Sequence, residues 1–301
     1  MSRFLLDVVW VAVYELGEAV RTRLFQLVLL AYAGGVAVAT WLFTEILRHM
    51  EEPLAESMGV PPTKRPGAMM NTLLERGKLD ELLEPVTGAD GVAHLLDEPV
   101  LALWTGAVAM ALLPMVLLFS ASGSVAGEVR TRSIRYLLCR TGRLQIGLGK
   151  LAGQLLLALV AAVLGSIVAW GMGMTLMVGN PPIELAAALV SRTGRACVYA
   201  LPFAGLGLAV SQVVPSPNGA RALAVMVFGL MSWATAWLGD HVGPDTAGRL
   251  ADLAMLFYAP ATWDDFWSAE PGTVGIAAAQ CVVLSVVYYA AGHGVFARRD
   301  L

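Results

Sequence analysis

The chain has 301 residues, of which 57% are hydrophobic and 14% charged, and its mean hydropathy is +0.68. Soluble domains typically have about 25% charged residues, so this composition excludes a water-soluble globular protein and indicates an integral membrane protein. The net charge of −3 identifies no partner by itself, because acidic and basic residues are segregated between different parts of the chain.

The first predicted element is an N-terminal helix within residues 1–23. Polar side chains share one helical face, Asp7, Tyr14, Glu18 and Arg21, and the remainder is mostly Leu and Val with Trp10. An amphipathic helix of this kind lies along the membrane surface rather than across the bilayer. Acidic residues interrupt the apolar run and no small-residue cleavage site follows it, so a cleavable signal peptide is not predicted.

Six apolar stretches are long enough, or nearly so, to cross the hydrocarbon core, which takes about 20 residues. In chain order the predicted spans are residues 24–46, 100–119, 151–178, 196–214, 222–238 and 273–296. Pro114 and Pro202 fall within the second and fourth spans, and we expect each proline to kink its helix.

Two long loops, residues 48–98 and 239–272, lie on the same side of the membrane in this topology. The first loop has helical spacing of apolar residues and predicts a short amphipathic helix over residues 69–83. The second loop is rich in aromatic residues, which we expect to form a belt at the membrane surface. These aromatic residues are Phe257, Tyr258, Trp263, Phe266 and Trp267.

Lys and Arg are concentrated on the side of the membrane that holds the chain termini. With cytoplasmic termini, the inner segments carry twelve basic and five acidic residues, whereas the outer segments carry eight basic and eighteen acidic residues. Cytoplasmic loops have an excess of Lys and Arg, so both termini are predicted to be cytoplasmic. Arg192 and Arg195 oppose this rule, and we interpret them as the end of a short interfacial helix that begins near Ile183.

The densest basic stretch, GEVRTRSIRYLLCRTGRLQIGLGKLAG, joins the second and third spans at residues 127–153. It contains five arginines and one lysine but a single carboxylate, Glu128. A helix from Glu128 to Cys139 would place Arg132 and Arg135 on the face of Glu128. Two interpretations stay open. Either the arginines only fix topology by binding anionic lipid at about 1 kcal/mol each, or the helix docks into a cytoplasmic partner and moves both spans.

Pairs of glycines flank this basic stretch. Gly123 and Gly127 form a GxxxG pair at the end of the second span, and Gly149 and Gly153 form another at the start of the third span. Glycines at this spacing permit two helices to pack closely.

Motifs for catalysis and for metal binding are missing from the sequence. There is no GxSxG, no HExxH and no complete phosphate-binding loop, and the four histidines and three cysteines show no ligand spacing. We therefore predict no catalytic residue, metal site or cofactor in this chain, and no nucleic-acid partner. The predicted spans contain almost no ionisable residues, which disfavours an ion-coupled carrier.

The basic stretch resembles a motif of the permeases of type-2 ATP-binding-cassette exporters, similar to GERERGTLELLLSRPVSRSEILLGKLLG, between spans two and three. The matching residues are Gly127, Glu128, Leu137, Leu138, Arg140, Arg143, Gly149, Lys150, Leu151 and Gly153. The chain departs from the motif at Arg132, which stands where the family has glycine, and at Ser133 and Thr141, which replace threonine and proline. The nearest branch resembles permeases of multicopper-enzyme maturation, including those for the copper site of nitrous oxide reductase.

This resemblance implies an all-α integral membrane protein with a single permease domain over residues 1–301. The domain would have six transmembrane helices, an N-terminal interfacial helix and a cytoplasmic coupling helix in residues 127–150, between spans two and three. Seven residues would couple the permease to an ATPase: Glu128, Arg130, Arg132, Arg135, Leu137, Leu138 and Arg140.

The same resemblance implies an assembly in a bacterial inner membrane. Two copies of a separate ATPase subunit would bind ATP and Mg²⁺, and a second permease, either another copy or a paralogue, would complete the transporter. We expect export of a hydrophobic or amphipathic substrate, or force exerted on an extracytoplasmic partner. The alternative is a membrane scaffold that anchors a partner through residues 48–98 and transports nothing.

Overall fold

The computed structural model describes residues 3–59, 65–69, 72–73, 98–179, 181–241, 258–268 and 270–298. Over these ranges the predicted all-α fold is confirmed. The α-helices in them are α1 Arg3–Arg21, α2 Arg23–Met58, α3 Val100–Thr131, α4 Ile134–Leu138, α5 Arg143–Leu176, α6 Pro182–Tyr199, α7 Leu201–Val213, α8 Pro217–His241 and α9 Pro271–Ala297. Two 3₁₀ turns, Ala259–Thr262 and Asp264–Trp267, precede α9. Most of the helix predicted over residues 69–83 lies outside the described residues.

Five helical stretches in the described ranges are long and apolar enough to cross a membrane. They are α2, α3, α5, α6 together with α7, and α9. The 36 residues of α2 make a helix about 54 Å long, well beyond the roughly 30 Å of a hydrocarbon core. The predicted fifth span falls in α8, which is not one of the five, so a six-span topology depends on that helix.

The helix predicted to begin near Ile183 starts at Pro182, but it continues past Arg192 and Arg195 to Tyr199 and so leads directly into the predicted fourth span. α6 and α7 are separated only at Ala200, two residues before Pro202. Proline has no N–H to donate to the carbonyl one turn earlier, which accounts for the interruption at this point. Pro114, in contrast, lies inside α3, which continues on both sides of it.

α3 lies at the centre of the bundle, in contact with α2, α5, α6, α7 and α8. Small side chains allow α3 and α7 to approach closely. A Cβ atom on Gly207 would lie 2.9 Å from the Cβ atom of Ala121. One turn further along, the Ser211 hydroxyl oxygen accepts the backbone N–H groups of Val125 and Ala126 at 3.0 and 2.9 Å.

The aromatic residues before α9 pack inside the protein. Phe266 and Trp267 are each only 1% exposed, and the Phe266 ring lies edge-on to Tyr199 at a centroid distance of 5.8 Å. Arg195 holds the turn in place by donating to the Phe266 carbonyl oxygen at 2.8 Å. The predicted aromatic belt is therefore wrong for Phe266 and Trp267, because the 3₁₀ turns fold them back onto the helices.

Arg192 is buried at the same end of the bundle, which we call the Arg192 end. Its Nε donates to Oε2 of Glu98 at 2.7 Å, and its guanidinium carbon lies 5.4 Å from the centre of the Trp267 ring. Gly106 in α3 makes room for it, because a Cβ there would lie 2.9 Å from the Cβ of Arg192. Arg192 and Arg195, which oppose the charge rule, thus have structural partners inside the protein.

We expect Arg192→Met to lower the free energy of unfolding by about 2–3 kcal/mol, because it leaves the partly buried Glu98 without its cation. The free energy would be measured by denaturant titration of the purified protein in detergent. The matched control is Arg48→Met, which removes an exposed pair to Glu45 with an N–O distance of 2.9 Å. An exposed pair contributes less than about 1 kcal/mol. Equal losses in the two variants would contradict the structural role of Arg192.

Candidate functional site

Lys150 in α5 is the centre of the candidate site and is 1% exposed. Its Nζ donates to Oε2 of Glu15 in α1 at 2.6 Å and to Oε1 of Glu128 in α3 at 2.9 Å. One ammonium group therefore joins three helices at the end of the bundle opposite Arg192, which we call the Lys150 end. Removing one partner of such a buried network leaves an uncompensated charge in an apolar surrounding, which is strongly destabilising.

Two of the predicted packing glycines bring α1 and α5 together around this lysine. A Cβ on Gly149 would lie 2.5 Å from the Cβ of Val11, and a Cβ on Gly153 would lie 2.9 Å from the Cβ of Glu15. Both contacts leave no room for a side chain on the α5 surface. The glycines thus allow the backbones to approach closely enough for Glu15 to reach Lys150.

The continuous helix predicted from Glu128 to Cys139 is wrong. α3 ends at Thr131, and Arg132 adopts the left-handed conformation with φ of 60° before α4 begins at Ile134. Among the non-glycine residues that the structure describes, Arg132 alone has a positive φ. This is the position where the resembling permeases have glycine, the residue that most easily adopts this conformation at a helix C-terminus.

The residues between Glu128 and Arg143 combine a charged surface with an apolar anchor. Ile134 is 1% exposed and packs in a small cluster with Val125 and Phe296. Leu137 and Leu138 are half-buried. Four arginines of the predicted coupling set are exposed: Arg130, Arg132, Arg135 and Arg140.

Arg143 holds the other end of this segment against α9. Its Nη1 donates to the Phe296 carbonyl oxygen at 2.9 Å and also to that of Ala297. The guanidinium carbon lies 5.7 Å from the centre of the Phe296 ring. A cation that bonds the last carbonyl groups of a helix stabilises its C-terminus. Residues 127–150, which we call the basic arm, are therefore attached to α1 through the Lys150–Glu15 pair and to α9 through Arg143, and the Lys150–Glu128 pair joins the two ends of the arm.

The other predicted glycine pair does not bring two helices together in the same way. Gly123 faces the side chain of Arg221 in α8, whose Nη2 would lie 2.7 Å from a Cβ at this position. Around Gly127, apart from its chain neighbours and the nearby backbone of α3, no described atom lies within 4 Å of where its Cβ would stand. Gly127 instead borders a cavity beside Lys150.

A third carboxylate, Glu18, adds negative charge to the site. It raises the pKa of the Tyr14 phenol above its usual value, and desolvation and Glu128 act in the same direction. Carboxylate oxygens of Glu15, Glu18 and Glu128 lie within 4.8 Å of one another. In the described part of the chain these three side chains could hold a hard cation, although Lys150 already neutralises two of them.

Sequence reasoning included Glu128 among the coupling residues but missed the roles of Glu15 and Lys150. The two side chains meet across 135 positions of sequence, and no local pattern reports such a contact. The one indication in the sequence is that each is an ionisable residue in a largely apolar run, and such a residue needs a partner of opposite charge.

The family comparison agrees with this architecture. The model of the ABC-2 family transporter protein matches residues 9–301. The chain belongs to the ABC-2 transporter family. No curated protein sequence matches it. The chain is therefore a membrane-spanning permease subunit of an ATP-binding-cassette transporter, a class that functions in a membrane with an ATPase partner.

Replacing Lys150 of the permease by methionine should lower the free energy of unfolding by about 3–5 kcal/mol, because Glu15 and Glu128 remain buried without a cation. Replacing all three residues by methionine should recover most of this loss, since no buried charge then remains. Denaturant titrations of the purified variants in one detergent measure both effects.

The control for this comparison is Arg140→Met, at an exposed position of the basic arm. A surface substitution of this kind changes stability by no more than about 0.5 kcal/mol. A triple variant as unstable as Lys150→Met would show that packing volume, and not charge pairing, holds the three helices together.

Arg132→Gly should raise the free energy of unfolding by about 0.5–1 kcal/mol, because glycine adopts the left-handed conformation without the steric cost that a side chain imposes. Arg132→Ala removes the same charge but keeps the Cβ atom, so it is the matched control and should give no gain. Thermal unfolding in detergent measures both variants. A gain of equal size in both would assign the effect to charge rather than to the backbone.

Proposed function

We propose that this permease receives ATP-driven movement from separate ATPase subunits through the basic arm. The observation that carries this proposal is the double ion pair of Lys150. Glu128 at the start of the arm and Lys150 at its end are joined at 2.9 Å, and Glu15 joins the same ammonium group at 2.6 Å. A displacement of the arm therefore acts on α1, α3 and α5 together.

The surface of the basic arm supports its role as the docking element. Its exposed arginines offer positive charge, and its half-buried leucines offer an apolar contact next to that charge. A partner with an acidic groove and an apolar floor would complement this surface, and complementary charge favours rapid and selective association. The coupling residues of the proposal are Glu128, Arg130, Arg132, Arg135, Leu137, Leu138 and Arg140.

In the proposed topology the Lys150 end and both termini are cytoplasmic, and α8 is the fifth of six spans in a bacterial inner membrane. The excess of Lys and Arg in the inner segments supports this orientation. The burial pattern of α1 supports an interfacial position for this helix. Val11 and Ala12 are buried against the bundle, whereas Val9 and Trp10 are exposed, Trp10 by 70%. An exposed indole is typical of a membrane interface.

The complete transporter would contain two permeases, identical or paralogous, and two ATPase subunits that bind ATP and Mg²⁺. α3 has no Asp, Glu, Lys or Arg between Val100 and Gly127, and α5 has none between Leu151 and Leu176. Long helix stretches without fixed charge support export of a hydrophobic or amphipathic substrate. The resemblance to copper-maturation permeases supports the other form of the proposal, force on an extracytoplasmic partner.

The double variant Arg132→Glu and Arg135→Glu should reduce both the recovery of the ATPase with the permease and the ATP hydrolysis of the reconstituted complex by about tenfold or more. The reason is that reversed charges meet the acidic groove. The tagged permease would be purified from its native membranes, the ATPase identified by mass spectrometry, and hydrolysis measured after reconstitution in lipid.

The matched control reverses two exposed arginines outside the basic arm, Arg3→Glu and Arg298→Glu. It should leave both the yield of the complex and its ATP hydrolysis within about twofold of the unmodified permease. Unchanged yield and hydrolysis in the Arg132 and Arg135 variant would reject the basic arm as the docking element.

A further inference from the structure

A cavity of about 360 Å³ lies beside the Lys150 ion pairs, in the size range of small-molecule sites. It is bordered by α1, the start of α2, the last turns of α3, α5 and the first turn of α8. Three acidic and three basic side chains line it: Glu15, Glu18, Glu128, Arg130, Lys150 and Arg221. The charges of this lining balance, so a neutral ligand with separated charges fits it better than a simple anion or cation.

Two acceptor atoms in this cavity lack a donor. Gln154 is 1% exposed and Glu128 is 9% exposed, yet Oε1 of Gln154 and Oε2 of Glu128 have no hydrogen-bond partner among the described residues. Buried polar atoms are paired in the great majority of cases, so acceptors of this kind indicate a ligand that brings N–H or O–H donors. Together with Glu18, they form an acidic pole suited to a primary ammonium group.

A basic pole lies further from the C-terminus of α3, toward the middle of the bundle. The Arg221 guanidinium rests over the Phe119 ring at 5.1 Å, beside Gly123, and its Nε has no partner in the described part of the chain. Gly123 and Glu128 are five residues apart, which is about 7.5 Å along a helix axis. Guanidinium groups bind phosphate well because their donors match its oxygens.

The wall next to the two poles is apolar. Leu24, Phe25, Val28 and Leu157 line the cavity together with Phe119. Going from the helix ends toward the middle of the bundle, a ligand would meet carboxylates, then a guanidinium and then hydrocarbon. A phospholipid in the cytoplasmic leaflet presents ammonium, phosphate and acyl chain in the same order.

We infer that this cavity binds the headgroup of an aminophospholipid, with the ammonium on Glu18, Glu128 and Gln154 and the phosphate on Arg221. The inference deepens the proposed function and rests on it for the cytoplasmic position of the Lys150 end. A choline headgroup has the same charges but no N–H to donate, so it leaves the acceptors unpaired. A bare divalent cation would add charge next to three basic side chains.

The test is native mass spectrometry of the full-length permease in detergent, titrated with short-chain phosphatidylethanolamine, phosphatidylcholine and phosphatidylglycerol. Phosphatidylethanolamine should bind saturably and at least about tenfold more tightly than the other two, which corresponds to one charge-assisted hydrogen bond. Glu18→Gln and Gln154→Leu should each weaken this binding by about tenfold. Both leave the Lys150 ion pairs intact, and Glu18→Gln tests the inference at an exposed position, where substitution has little effect on the fold.

Glu184→Gln, at an exposed carboxylate in the first turn of α6, is the control and should bind phosphatidylethanolamine normally. Equal affinity for phosphatidylcholine, or no saturable binding, would overturn the inference. So would binding of Mg²⁺ alone that excludes the lipid and is lost in Glu18→Gln. The lipid titration contains neither ATP nor an ATPase, so a negative result there does not contradict the coupling proposal. Equally, a negative result in the arginine-reversal assay does not contradict lipid binding.

Discussion

The burial of one ammonium group organises the Lys150 end of this permease. Lys150 is 1% exposed, and its charge is stable there because Glu15 and Glu128 approach it at 2.6 and 2.9 Å. Neither carboxylate belongs to the same helix as the lysine, so satisfying the charge fixes the relative positions of three helices. Gly149 and Gly153 are required by the same constraint, because any side chain there would hold α1 away from α5.

Because of this constraint, the basic arm is attached to the rest of the bundle at defined contacts. The Lys150–Glu128 pair joins the two ends of the arm, and between them Arg143 bonds the terminal carbonyl groups of α9. Between these points, Ile134 is the buried anchor and the arginines remain at the surface. A partner that pulls on the arm therefore acts on the bundle through a few strong contacts. A loop without such contacts would absorb the displacement.

Composition and hydropathy were sufficient to predict a helical membrane protein, and motif resemblance drew attention to the basic stretch between the second and third predicted spans. The contacts that position the arm were not predictable, because Lys150 and Glu15 are distant in sequence and each looks like an isolated charge near a span. Arg132 shows that a match to a motif does not by itself predict the backbone conformation. Its position matched a family glycine, but only the backbone shows that the left-handed conformation persists there with an arginine, which divides the predicted helix in two.

At each end of α3 a carboxylate, in the helix or just before it, pairs with a buried cation of another helix. At the Arg192 end a buried guanidinium pairs with Glu98, and at the Lys150 end a buried ammonium pairs with Glu128. Small residues pack the helix between them, as at the contact of Ala121 with Gly207. Opening either end would leave a charge unpaired in an apolar surrounding, at a cost of several kcal/mol. Movement of the helices that these pairs join, α1, α3, α5 and α6, as one unit keeps both pairs intact. Concerted tilting of these helices is therefore the lower-energy response to force on the arm.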